Sequence, residues 1–101
     1  MSAVLDVIKP EFPSVAEAFL RLRQEVAAAG PLETKYRELC ILAGFAAIGS
    51  ERGIRTHVHR AVAAGATVEE VKHALLLTLG SSAGLSEVVD AYTWVEQELA
   101  Q

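Results

Sequence analysis

Apolar residues recur at helical spacing along most of the chain, and no segment shows the sustained alternation of a half-buried strand. A leader over residues 1–13 is expected to be extended around Lys9-Pro10-Glu11-Phe12-Pro13. The tetrapeptide Ser14-Val15-Ala16-Glu17 then has the form of a capping box, a hydroxyl for the orphan backbone donors with a carboxylate three residues on. The spacing predicts a first helix carrying Ala18, Phe19, Leu22, Val26 and Ala29, stopped at Gly30-Pro31. A second is predicted from about Glu33 to Ile48. Its run from Leu39 to Ile48 is apolar all round, which places it at the centre of a bundle or an assembly.

Gly49 ends the second helix, and Ser50 is suited to cap a third that runs to Gly65. Thr67-Val68-Glu69-Glu70 is another capping box and opens a fourth helix, which presents Val71, Ala74, Leu75 and Leu79. The segment from Gly80 to Gly84 breaks the chain. Ser86 is expected to cap a fifth helix whose Val88, Val89, Tyr92, Trp94, Val95 and Leu99 serve packing. The fold class is all-α.

At 101 residues the chain reads as one domain over 1–101, with modest burial per residue, so association with further copies would help stabilise it. The half-apolar composition belongs to a folded chain. A net charge of -4 gives no reason to expect a nucleic-acid groove. No run reaches the roughly 18 apolar residues of a membrane span, and the first residues lack the cationic start of a secretory signal. A cytoplasmic protein is expected. The single cysteine, Cys40, has no internal disulfide partner and is expected to sit as an inert thiol inside the apolar helix.

Against this acidic background, Ser50-Glu51-Arg52-Gly53-Ile54-Arg55-Thr56-His57-Val58-His59-Arg60 holds three arginines and two of the three histidines. At about 100° per residue, Ile54, Val58, Ala61, Val62 and Gly65 form the stripe that faces the core. His57 falls at one border of that stripe, and Arg55 and His59 share the other. A pocket within one chain would use His57 or the Arg55 and His59 pair, and using both would require a neighbouring subunit. On the second helix Glu38 shares a face with Ile41, Leu42 and Phe45. A carboxylate among apolar side chains suits proton exchange, because burial favours the neutral acid. The competing reading is an anion near a helix start, partnered by Lys35 or Arg37. His57-Val58-His59 puts its imidazoles about 200° apart, which is not a zinc clasp. No metal or cofactor is implied, and no GxSxG, GxGxxG or phosphate loop is present.

The order Arg37-Glu38, eighteen intervening residues, then His57-Val58-His59-Arg60-Ala61-Val62-Ala63-Ala64-Gly65-Ala66-Thr67-Val68-Glu69-Glu70 resembles the carboxymuconolactone decarboxylase family, which includes alkyl hydroperoxidase D. The similarity covers about residues 30–100. It implies a five- to six-helix bundle of the alkyl hydroperoxidase D type that assembles as trimers or hexamers. In the peroxidase-type pattern a Glu is followed by CxxC at the start of the next helix and by a His four residues later. Glu38 and His57 match the outer positions, but Ser50 and Gly53 stand at the cysteines. Peroxide reduction needs a thiolate and a resolving thiol, so that activity is not expected.

The decarboxylase branch carries a Leu-Arg-x-His that Ile54-Arg55-Thr56-His57 resembles. What the resemblance implies is a cofactor-independent lyase acting on a small anionic substrate, a carboxylated lactone or related cyclic acid. Glu38 and His57 would be catalytic, and Ser50, Arg52, Arg55 and His59 would bind substrate. Gly53 is expected to leave a gap that widens the pocket, for a different lactone or a β-keto acid. The alternative is a non-catalytic, structural member in which the basic stretch is a subunit contact.

Overall fold

Pro10 and Pro13 set the first helix boundaries. In the computed structural model, which describes residues 3–100, the leader is helical rather than extended: Ala3–Ile8 forms α1. Leu5 is buried, and Pro10 restricts the residue before it, so the helix stops at Ile8. Residues 1 and 2 of the leader lie outside the described residues. Helix α2 is Pro13–Ala28. Proline suits a first helical position, where no donor is needed and its φ is already set. The helix therefore begins at Pro13 with Phe12 as N-cap, and no side chain caps it. Ser14 falls inside the first turn, and the capping box expected there does not form. Of the apolar positions on α2, Ala16 is buried while Val15, Phe19, Leu22 and Val26 are exposed. α1 and α2 belong to one compact unit that ends at Pro31, and the residues from Leu32 onward form a second.

The second unit contains α3 (Thr34–Ile48), α4 (Glu51–Ala63), α5 (Val68–Leu76) and α6 (Leu85–Leu99). Among the described residues there are thus six helices and no strand, with an isolated bridge between Leu79 and Ala83. α3 touches each of α4, α5 and α6, which is the central position its apolar character called for. It is not buried all round, however. Only Glu38, Leu42 and Ala46 are buried, one stripe at a spacing of four, while Cys40, Gly44 and Ile48 face outward. The core joins Leu42 and Ala46 to Ile54, Val58 and Ala61 of α4, Val71 and Leu75 of α5, and Ala91 and Val95 of α6.

The stripe on α4 is rotated from the one expected. Ile54, His57, Val58 and Ala61 are buried, so His57 lies inside rather than at a border, whereas Val62 and Gly65 are exposed. The buried positions follow i, i+3, i+4 and i+7, and Val62 falls one step past that stripe. On α6 the same logic buries Val88, Ala91 and Val95 and leaves Val89 and Tyr92 exposed. Leu79, expected to pack from the fourth helix, lies beyond the end of α5 and is exposed.

The caps show which local signals held. Gly49 closes α3 in the left-handed region, φ 71° and ψ 31°, which glycine occupies without a Cβ penalty. Thr67 and Glu70 form the expected reciprocal box at the start of α5, with N–H to oxygen distances of 3.0 and 2.9 Å. Ser86 does not cap α6. Gly84 is the N-cap, and its N–H donates to Glu87 Oε1 at 3.0 Å. No helix among the described residues is long and apolar enough to cross a membrane.

Two hydroxyl-to-methyl substitutions test this assignment of helix starts. Thr67→Ala is expected to cost about 1 kcal/mol, and Ser14→Ala less than about 0.5 kcal/mol. Urea unfolding midpoints check the contrast, and equal losses at the two positions would contradict it.

Candidate active site

α3 and α4 are joined by Gly49 and Ser50 alone. The Ser50 N–H donates to Phe45 O at 3.0 Å, and Ser50 Oγ accepts from the Gly53 N–H at 3.2 Å, so the link is held at both ends. A connection this short sends α4 back antiparallel along α3. Phe45, near the end of α3, thereby meets Gly53, near the start of α4. Two turns further from the link, Glu38 comes level with His57.

Glu38 Oε1 and His57 Nδ1 lie 2.7 Å apart, and the two side chains retain 9% and 8% of their accessible surface. A carboxylate and an imidazole withdrawn so far from water must satisfy each other. Neither Lys35 nor Arg37 partners Glu38. Lys35 Nζ pairs with Glu70 at 2.9 Å, and Arg37 donates to Leu32 O and Thr34 Oγ1. No buried side-chain nitrogen or oxygen among the described residues lacks a partner. Nε2 of His57 has no partner among the described residues and is not fully buried. With Glu38 ionised, Nδ1–H donates to Oε1 and Nε2 is left as a base. When Nε2 takes up a proton, the carboxylate balances the imidazolium.

The space beside Gly53 is closed. A Cβ built on Gly53 would lie 2.5 Å from Cγ and 2.7 Å from Cδ2 of Phe45, so the Phe45 ring occupies the room that a side chain would take. The gap expected to widen a pocket is therefore filled. The same ring packs on His57, with centroids 5.2 Å apart and planes tilted by 44°.

The remaining candidates lie elsewhere on α4. Arg55 donates to Glu51 Oε2 at 2.9 Å, Glu98 Oε2 at 2.8 Å and Gln97 Oε1 at 2.6 Å. His59 Nε2 meets the other oxygen of Glu98 at 2.8 Å. Arg55 and His59 thus turn toward α6 while His57 turns toward α3, as the opposite borders of the helix require. Arg52 is exposed, and Ser50 is committed to its cap. Cys40 is exposed rather than buried. It lies with His73 and Thr78 along an open groove of about 460 Å³ between α3 and α5, which Glu38 and His57 do not line. No cluster of three metal-ligating side chains occurs among the described residues.

Sequence reasoning placed Phe45 on the face of Glu38 but read it only as core. Glu98, which gathers Arg55 and His59, was missed, and a separation of about forty residues leaves no local signal for such a pairing.

The structure of the site leads to its relatives. The model of the carboxymuconolactone decarboxylase family matches residues 13–97, and the chain belongs to that family. The match reaches back through α2, beyond the region where the motif alone is legible. A curated relative, an uncharacterized protein of Methanocaldococcus jannaschii, is 31% identical over 68 residues. That alignment covers 67% of this chain and 64% of the relative, so the chain spans just under two thirds of that protein's length. No solved structure matches the chain.

Hydrogen bonds first from His59 and then from Arg55 hold the Glu98 carboxyl below the ordinary carboxylate value of 4.5. A group lowered on folding contributes stability that is complete above its unfolded pKa and is lost as pH falls through the folded one. Glu98→Gln is therefore expected to flatten the loss of stability between about pH 5 and pH 3. Unfolding midpoints measured across that window check it, and a slope equal to that of the wild type counts against the tie.

Proposed function

We propose that the chain is a cofactor-independent acid–base enzyme of the decarboxylase type, acting on a carboxylated lactone or a related cyclic acid. The observation that carries this reading is the 2.7 Å pairing of Glu38 with His57 Nδ1, with Nε2 unpartnered among the described residues. In the reaction, the bond between the ring and a carboxylate breaks, carbon dioxide leaves, and the electron pair delocalises toward the ring carbonyl. His57, protonated at Nε2, delivers a proton to carbon, and water later restores it. Glu38 holds the ring orientation and balances the imidazolium while it exists. Such a positioned acid–base group accelerates a reaction by roughly 10²- to 10⁴-fold.

Substrate anions need donors. Ser50, Arg55 and His59 each hold a partner within the chain and would have to exchange it for substrate. Arg52 is exposed and is the arginine best able to receive a carboxylate. A trimeric or hexameric assembly in the cytoplasm is part of the proposal. It is supported by large apolar side chains left in solvent, Ile48 at 75%, Leu85 at 66% and Leu77 at 64% exposure. The chain's single cysteine supplies no resolving thiol for a peroxidase cycle.

A second reading, a structural family member without turnover, draws on the engagement of Arg55 and His59 with Glu98, which spends the basic stretch on joining α4 to α6. Carbon dioxide release from a panel of carboxylated γ-lactones and β-keto acids separates the two. Glu38→Gln and His57→Gln put an amide at each position and are expected to lower kcat by roughly 10²- to 10⁴-fold, with circular dichroism and elution volume establishing that each variant is still folded and assembled. Wild-type turnover in the His57 variant removes the acid–base assignment, and a wild-type protein inert to the whole panel favours the structural reading.

A further inference from the structure

We infer that Phe45 is a positioning residue: its ring, seated in the space that glycine leaves at position 53, fixes the His57 imidazole with Nδ1 on Glu38 and Nε2 outward. The functional consequence rests on the acid–base reading above, whereas the geometry does not.

Four residues make the arrangement. Glu38 and Phe45 are two turns apart on one face of α3, and Gly53 and His57 are one turn apart on one face of α4. The hydrogen bond to Glu38 restrains His57 at one atom only, and a ring held at one atom still turns about that bond. The Phe45 ring supplies the second restraint, a tilted ring contact at 5.2 Å between centroids. It reaches this position because Gly53 has no Cβ, since any side chain there would meet three atoms of the ring. Gly53 has ordinary helical surroundings and no left-handed φ, so conformational freedom does not account for it. Space does. With the ring held in this orientation the bond to Glu38 selects the tautomer protonated at Nδ1, as a supporting shell must allow if the pair is to act at a defined place.

The test reads the imidazole directly, in the full chain and without substrate. Nitrogen-15 NMR reports which ring nitrogen carries the proton, and solvent exchange reports how often the Nδ1 proton escapes. The wild type is expected to show one tautomer, protonated at Nδ1, with slow exchange. Phe45→Ala, and Phe45→Leu, which keeps apolar bulk without a flat ring, are expected to mix the tautomers and speed exchange by about tenfold or more. Gly53→Ala, which forces the ring aside, is expected to do the same. Circular dichroism establishes that each variant is folded, and Phe45→Leu decides the matter if Phe45→Ala does not fold. Wild-type tautomer and exchange in folded Phe45→Leu or Gly53→Ala overturns the inference, whatever the turnover. Conversely, failure of the decarboxylase reading leaves these signals untouched.

Discussion

The second unit depends on a carboxylate and an imidazole that have left water together. Glu38 sits on the same α3 stripe as Leu42 and Ala46, and His57 on the same α4 stripe as Ile54, Val58 and Ala61. Each polar group therefore enters the core as a consequence of the apolar residues around it. Removing one partner of a buried ionisable pair typically costs about 3–5 kcal/mol, since the survivor is left without compensation. A helix pair aligned differently would strand both groups, so the 2.7 Å bond also selects the register of α3 against α4. Gly49 and Ser50 make that register reachable by turning the chain in two residues.

α4 then carries two polar systems that do not share atoms. His57 faces α3, and Arg55 and His59 converge on Glu98 of α6. The concentration of positive charge in Ser50–Arg60 is thus partly answered inside the fold, where one acidic residue near the end of α6 receives two basic side chains. Keeping this network on the flank away from Glu38 leaves the buried pair free of a competing carboxylate. A single strong charge beside His57 would change which of its states is favoured, and the helical offset of about 200° between His57 and either neighbour prevents this.

Much of this was legible because it is periodic or local. The helical spacing of α3 brought Glu38 onto the face of Leu42 and Phe45, and Thr67 with Glu70 announced the start of α5 correctly. What failed involved competition between local signals or contacts across the chain. Pro13 outranked Ser14 as a helix start, and Gly84 with Glu87 outranked Ser86. The leader's apolar residues formed a short helix that two nearby prolines seemed to forbid. Cys40 was assigned to the interior because the run around it is apolar, yet a helix packed on one stripe leaves the opposite side in water. The Glu98 tie could not be read at all, since nothing in the spacing of α4 or α6 identifies its partner.

Gly53 shows how an absence in the sequence misleads when its neighbours are unknown. A glycine within a helix costs roughly 0.5–1 kcal/mol relative to alanine, and an empty Cβ position invites the reading of a vacant pocket. The structure fills that position with an aromatic ring from the preceding helix. In the peroxidase-type pattern that this chain resembles, position 53 corresponds to the second cysteine. A sulfur-bearing side chain there would have to displace Phe45 and, with it, the ring contact to His57. The departure from the redox pattern is therefore not a simple loss of two thiols. Ser50 is a helix cap, and Gly53 is a seat for Phe45, whose ring packs on His57.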